Sequence, residues 1–178
     1  MRWPTFLGTA PSWGKKCKPQ MNADQRRFKH ENVTHRIIGA FFDVYNELGY
    51  GFLESVYQEA MAIALESGGL RVDQEYGLEA RFRGQVVGVF KADLLINGCV
   101  IVELKALKEL NSTHEAQALN YLRAGVVEVA LLLNFGPQPQ IRRLAFSNDR
   151  KGPWAREQLQ LHTGVSCTLP NSIRVHLR

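Results

Sequence analysis

Three side chains that could carry out chemistry together lie close to one another in the sequence: Asp93, Glu103 and Lys105. Glu103 and Lys105 are two positions apart in the alternating stretch VIVELKA, so on a β-strand they leave the same face. Paired carboxylates repel each other and lose hydration when partly buried, and a divalent cation relieves that cost. The cluster therefore predicts a metal site rather than a structural ion pair, although Glu-x-Lys alone is common on solvated strands.

The chemistry predicted for this cluster is hydrolysis by a metal-activated water. Asp93, Glu103 and the main-chain carbonyl of Leu104 would hold Mg²⁺ or Mn²⁺ and leave positions open for water and a phosphodiester oxygen. Lys105 would orient the water or neutralise the pentavalent transition state. The sequence contains no GxSxG or P-loop pattern that would indicate a serine nucleophile or a nucleotide-phosphate loop.

A hairpin is needed to bring Asp93 beside Glu103. Asn97-Gly98 lies between them, and these residue types best tolerate the positive φ angles of a type I′ turn. A two-residue loop would pair Ile96 with Cys99 and Asp93 with Val102. That register places Asp93 next to Glu103 after a small adjustment.

Other elements follow from the spacing of the apolar residues. A 3.6-residue period predicts one helix from Val33 to Leu48 and a second from about Phe52 to Gly68. Alternation after Gly69 predicts three antiparallel strands in hairpin order. The remaining segments are a helix from Ser112 to about Arg123 with a Ser112–Glu115 capping box, an apolar strand over 128–135 that is covered on both faces, and an edge strand over 140–146.

The segment FKADLLINGCVIVELKA resembles the motif of the PD-(D/E)XK nuclease superfamily, and the order of elements resembles its αβββαβ core. Ala92 stands where the family name has proline, at a position that takes no part in metal ligation. The resemblance implies an α/β fold with a restriction-endonuclease-like core, in which helices flank a central mixed sheet. It also implies nuclease activity with Asp93, Glu103 and Lys105 as the catalytic residues.

A second resemblance lies in GFLESVY, which is similar to the signature of the bacterial GxxExxY proteins through Gly51, Glu54 and Tyr57. It extends over about residues 28–146 and implies that Glu54 approaches the metal site. The alternative for Glu54 is a first-turn carboxylate favoured by the helix dipole. For Tyr57 we expect a core aromatic residue whose hydroxyl is hydrogen bonded.

Gln117 and Tyr121 lie four apart on the third predicted helix and resemble the QxxxY element of RecB-like nucleases. The resemblance implies that Gln117 helps to arrange the site and that Tyr121 contacts nucleic acid. The alternative places Tyr121 in the core and Gln117 at its rim. His114 could contact a phosphate, or it could be a surface residue at the helix N-terminus.

The length of 178 residues accommodates one domain with tails. We predict an irregular leader over 1–28, of which 1–20 could be an upstream extension before Met21. The nuclease-like domain would occupy 29–146 and a polar tail 147–178, with a short helix at about 154–161.

Composition and charge indicate an ordinary globular protein with a mild basic excess, since 45% of the residues are hydrophobic and the formal net charge is +5. Three widely spaced cysteines without CxxC spacing predict neither a disulfide framework nor a zinc knuckle, which suits a reducing cytoplasm. No apolar run is long enough for a membrane span. We therefore predict a cytoplasmic location.

These observations together predict a metal-dependent nuclease acting on DNA, with RNA left open. The rival is a non-catalytic nuclease-fold module that binds or regulates with a partner protein, and the intact cluster of Asp93, Glu103 and Lys105 argues against it. A homodimer is left open too. A small-nucleotide phosphohydrolase or deaminase would need a phosphate loop or a His/Cys metal set, which the sequence lacks.

Overall fold

The computed structural model describes residues 29–152. The predicted order of helices and strands is confirmed throughout this range. The elements are α1 (Glu31–Leu48), α2 (Glu54–Ser67), β1 (Val72–Phe82), β2 (Gln85–Ile96), β3 (Val100–Lys105), α3 (Ser112–Ala124), β4 (Val129–Asn134) and β5 (Gln140–Ala145), followed by a short 3₁₀ turn, Asn148–Arg150.

The five strands form one mixed sheet in the order β1-β2-β3-β4-β5. β3 and β4 run parallel, joined by the α3 crossover, and the other neighbours are antiparallel. Every residue of β4 is buried, as predicted for a strand covered on both faces, and β5 is the edge strand expected from its sequence. The α/β fold class predicted from the sequence is therefore confirmed.

Helices cover both faces of the sheet. α1 and α2 pack on one face, where Ile37, Phe41 and Met61 meet the strand residues Val102 and Leu131. α3 packs on the other face, with core residues Ala118, Leu122, Leu95, Ile101 and Ala130. Because successive strand residues alternate between faces, Glu103 and Lys105 share the α3 face with Ile101.

The hairpin between β2 and β3 has the predicted turn but a different register. Asn97 and Gly98 have positive φ angles of 49° and 66°. The ladder pairs Ile96 with Val100 and Leu94 with Val102, one residue away from the predicted pairing. The small register adjustment that the sequence required is thus one residue, and continuing it along the strands sets Asp93 opposite Glu103.

The N-terminus of α3 also differs from the prediction by one residue. The capping residue is Asn111 rather than Ser112, and its Oδ1 accepts hydrogen bonds from the amides of Thr113 and His114. His114 Nδ1 accepts from the Asn111 amide, in the role that was predicted for Glu115. Asn is as good an N-cap as Ser, so the sequence offered two adjacent capping residues of similar strength.

Contacts with the domain continue beyond residue 146, because Lys151 is buried and donates to the carbonyls of Gly125 and Val127, each at 2.7 Å. Cys99 is disulfide-bonded, whereas the sequence predicted no disulfide framework. The reducing cytoplasmic location stays a prediction. None of the helices within 29–152 has the length and apolar character to cross a bilayer. The predicted leader and the predicted helix at about 154–161 lie outside the described residues.

Candidate active site

The site lies where β2 and β3 stop pairing. Their ladder ends at Leu94 and Val102, and the next residue of β2, Asp93, turns its carboxylate toward β3. Asp93 Oδ2 accepts a hydrogen bond of 2.6 Å from the Leu104 amide. Burial raises the pKa of Asp93, and the hydrogen bond from Leu104 and the charge of Lys105 only partly oppose this shift.

Glu103 is the most buried carboxylate of the site, with 1% of its surface exposed. Its Oε1 accepts a 2.7 Å hydrogen bond from Lys105 Nζ, whereas its Oε2 is buried with no hydrogen-bond partner among residues 29–152. Burial, followed by the charge of Asp93, raises the pKa of Glu103 to about 7. A buried oxygen of this kind is costly unless another group satisfies it.

Lys105 connects the acidic side chains. Its amine lies 2.7 Å from Glu103 Oε1 and 3.8 Å from Glu54 Oε2. Burial lowers the pKa of this amine, but the hydrogen bond to Glu103 and the surrounding negative charges outweigh burial, so the net shift is upward. The Lys105 amine is therefore a cation at neutral pH.

Glu54, the first residue of α2, is brought to the same site. One of its oxygens accepts from the Ala106 amide at 3.4 Å, immediately after β3, and the other faces Lys105. Its place in the first turn of α2 also suits the helix dipole. The structure thus gives Glu54 both the position implied by the family resemblance and the one expected of an ordinary first-turn carboxylate.

Tyr57 is fully buried and holds the loop that precedes Glu54. Its hydroxyl donates to the Gly49 carbonyl at 2.9 Å and accepts from the Phe52 amide at 3.2 Å. Its ring stacks on Phe135, with centroids 4.1 Å apart. This is the core aromatic with a bonded hydroxyl that the sequence predicted.

On α3, Tyr121 lies near Glu103 and Gln117 contacts Tyr121. Gln117 Nε2 donates a 2.6 Å hydrogen bond to the Tyr121 hydroxyl. Burial and then the charge of Glu103 raise the pKa of Tyr121 to about 12. The Tyr121 hydroxyl is close enough to Glu103 to act as a hydrogen-bonding neighbour that lowers the pKa of this carboxylate, although Oε2 has no hydrogen-bond partner of normal geometry within residues 29–152. His114 caps α3 through Nδ1, which makes it a structural residue in this arrangement.

Three polar residues that hold the site were missed by sequence reasoning. Gln58 Nε2 donates to the main-chain carbonyl of Asp93 at 3.3 Å, from the same helix as Glu54. Asn134, fully buried, bonds both the amide and the carbonyl of Leu107 at 2.9 Å, and Gln140 Oε1 accepts from Leu110. The one available signal was the polar Asn134 at the end of an otherwise apolar strand.

The donor set fits a hard cation that prefers oxygen ligands. Asp93, Glu103 and the Leu104 main-chain carbonyl are the oxygens available, and Glu103 Oε2 is the one that lacks a hydrogen bond. Within residues 29–152, no group of three or more His, Cys, Asp and Glu side chains is arranged to hold a metal ion. A cation here would therefore depend on two carboxylates and a main-chain oxygen.

The chain is similar to a known protein family and to solved structures. A family model described as the PD-(D/E)XK nuclease superfamily matches residues 31–144. Among solved structures, "Crystal structure of SSO0001" aligns with a TM-score of 0.42 and 17% identity over 79% of this chain and 69% of that chain. A search of curated proteins finds no match. On the family match, the chain belongs to the PD-(D/E)XK nuclease superfamily, which suggests a nuclease-type phosphodiester hydrolase.

Proposed function

We propose that the protein is a metal-dependent nuclease that hydrolyses phosphodiester bonds, with DNA as the preferred substrate. The observation that carries this proposal is the buried Glu103 Oε2, which lacks a hydrogen-bond partner within residues 29–152 while the charge of Asp93 lies close by. A structural ion pair would not leave a carboxylate in that state, because the unsatisfied oxygen costs about 1–3 kcal/mol or more. A divalent cation held by Asp93 and Glu103 would satisfy it.

In this proposal Asp93, Glu103 and the Leu104 carbonyl hold Mg²⁺ or Mn²⁺. The bound cation would lower the pKa of a coordinated water and reduce the charge on the scissile phosphate. Lys105, a cation through its acidic neighbours, stabilises the extra negative charge of the transition state. The raised pKa keeps this amine protonated, and a protonated amine can serve either role open to Lys105 from the sequence, orienting the water by donation or neutralising charge.

The accessory residues act through the catalytic ones. Glu54 fixes the Ala106 amide and faces Lys105, so it holds the end of β3 and helps to keep the lysine charged. The Gln117–Tyr121 pair packs against the Glu103 side of the site. Tyr57 and Gly51 shape the loop before Glu54, which supports membership of the GxxExxY group within the superfamily.

The superfamily match supports a nucleic acid substrate and the +5 charge favours a polyanion, and we propose DNA as that substrate. The chain lacks a dense basic stripe interleaved with aromatic residues. A second copy or a partner protein would enlarge the small surface that one domain offers to a duplex.

The test is cleavage of labelled single- and double-stranded DNA and RNA with Mg²⁺, Mn²⁺ or EDTA. Asp93→Ala and Lys105→Ala should each lower the rate at least about a hundredfold. The matched control is Asp73→Asn, a half-exposed β1 carboxylate paired with Arg71, which should cut like the wild type. Two outcomes would overturn the proposal in favour of the non-catalytic binding module. In one, all variants cut as fast as the wild type; in the other, no protein cuts any substrate.

A further inference from the structure

The loop that leads into α2 exposes an unusual density of apolar side chains. Tyr50, Phe52, Leu53 and Val56 keep 60%, 49%, 76% and 40% of their surfaces exposed within seven residues of chain. Single exposed apolar residues are common, but a contiguous group indicates a binding surface.

This loop adjoins the candidate site through the chain itself. Leu53 is the N-cap of α2 and the next residue is Glu54, which lies 3.8 Å from the Lys105 amine. Consecutive Cα atoms are about 3.8 Å apart, so the Cα of Phe52 lies within about 8 Å of that of Glu54. The exposed apolar residues thus directly precede, in the chain, the residue whose carboxylate faces the Lys105 amine.

The loop is also held in a fixed conformation. The buried Tyr57 hydroxyl bonds the main chain at Gly49 and at Phe52, and the Phe52 ring packs edge-on against the Tyr57 ring at 6.1 Å. Gly51 has a φ of 108°, which favours glycine, and space is open around it. The aromatic side chains are therefore presented in place, and ligand binding does not have to order the loop.

We infer that Tyr50 and Phe52 stack on unpaired nucleobases next to the phosphate that Lys105 neutralises, so that the substrate is single-stranded or locally unpaired at the cleavage position. This inference rests on the proposed nuclease function and specifies its substrate class. A phosphate-binding amine beside exposed aromatic rings matches the two parts of a nucleotide. Bases in a duplex are stacked inside the helix, so their faces reach a protein ring only where pairing is lost.

The experiment measures binding separately from cleavage. Binding of a fluorescein-labelled single-stranded oligodeoxynucleotide, and of the same sequence as a duplex, is followed by anisotropy in EDTA, where a metal-dependent nuclease does not cut and Lys105 is kept. Tyr50→Ala or Phe52→Ala should weaken single-strand binding by about five- to a hundredfold and leave duplex binding unchanged. The control is Ile63→Ala, an exposed apolar residue further along α2.

Two further measurements separate stacking from a folding defect. Tyr50→Trp and Phe52→Trp should restore single-strand binding, since they retain an aromatic face. An oligonucleotide with one abasic position beside the cleavage site should bind as weakly as the alanine variants do. Combining that abasic position with Phe52→Ala should add no further loss, because both remove the same contact.

The outcomes distinguish this inference from the proposed function. If Tyr50→Ala and Phe52→Ala weaken single-strand binding but the wild-type protein cuts no substrate, the inference is supported and the proposed nuclease function is overturned. Cutting and single-strand binding that are unchanged in both alanine variants would overturn the inference alone and assign the surface to a protein partner. Equal losses for the single strand and the duplex, or no binding to either, would overturn the inference.

Discussion

Asp93 Oδ2 accepts a 2.6 Å hydrogen bond from the Leu104 amide, at the point where the ladder between their strands has ended. The side chain thus replaces a backbone acceptor in the sheet. This single contact fixes a proposed metal ligand against the main chain of the strand that carries the other two proposed catalytic residues, Glu103 and Lys105. Its role in structure and its role in chemistry can be separated by mutation.

Asp93→Asn should abolish cleavage while the fold keeps its stability. The amide oxygen can still accept from Leu104, but the negative charge that favours a cation is lost. Asp93→Ala should in addition lower the free energy of unfolding by about 1–3 kcal/mol, because the Leu104 amide loses its acceptor. Urea denaturation of both variants in EDTA tests this, and equal stabilities would show that the hydrogen bond contributes nothing.

Glu103→Gln should stabilise the metal-free protein at pH 8. The pKa of Glu103 is raised from 4.5 to about 7, so its contribution to stability is complete below pH 4.5 and is lost as pH rises through 7. A shift of this size corresponds to roughly 3 kcal/mol at pH 8, and Asp93 adds a shift of the same sign.

Thermal unfolding in EDTA between pH 5 and pH 8 measures this effect. Wild type should lose more stability than Glu103→Gln over that interval, and Mg²⁺ should recover stability only in the wild type at pH 8. Glu59→Gln, an exposed carboxylate on α2, controls for general charge effects. A pH slope as steep in Glu103→Gln as in wild type would contradict the assignment.

Glu54→Gln should lower the cleavage rate by about tenfold without destabilising the domain. The side chain is half-exposed, so its loss costs little stability, yet it removes one negative charge facing Lys105. Glu59→Gln, five residues further along the same helix, is the matched control and should retain full activity. An unchanged cleavage rate in Glu54→Gln would mean that Glu54 is only a first-turn carboxylate favoured by the helix dipole.

Tyr57→Phe should destabilise the loop before α2 while preserving the core. The ring still stacks on Phe135, but the Gly49 carbonyl and the Phe52 amide lose their partner. We expect a loss of about 1–2 kcal/mol in the free energy of unfolding and faster proteolysis near residues 49–53. A rate of proteolysis near residues 49–53 equal to that of the wild type would show that the Tyr57 hydroxyl is not needed to hold the loop.

Lys151→Ala should lower stability by about 1–3 kcal/mol, because the Gly125 and Val127 carbonyls lose their donor. Burial lowers the pKa of Lys151 from 10.5 to about 8. A lowered lysine pKa makes stability rise as pH increases from 8 to 10.5, and the variant should lack this rise. Thermal unfolding compared with Lys108→Ala, an exposed lysine, checks both effects.

Much of the fold could be predicted because each element carries a local signal. The apolar period of α1, the covered strand β4 and the Asn97-Gly98 turn all appear in the sequence as they do in the structure. The one-residue errors at the β2–β3 ladder and at the α3 cap have a common origin. In both places two neighbouring residues satisfy the local rule equally well, and packing of the whole domain decides between them.

The supporting residues of the site could not be predicted in the same way. Gln58 meets the Asp93 carbonyl, and Asn134 meets Leu107, across large distances in sequence. Asn and Gln occur commonly on surfaces, so residue type does not identify the partner of such a contact, and only the polar Asn134 at the end of an apolar strand gave a signal. The candidate cluster could be recognised because Glu103 and Lys105 share a strand and Asp93 lies one hairpin away.

The parallel pairing of β3 with β4 has a consequence for how the chain is made. β3 is translated before α3 and β4, so the catalytic strand remains a bare, valine- and isoleucine-rich edge until residues 129–134 arrive. Such an edge can pair with the edge of another chain. Destabilising substitutions in α3 or β4 should therefore lower the yield of soluble protein during synthesis. The molecules that complete the sheet should keep their intrinsic activity.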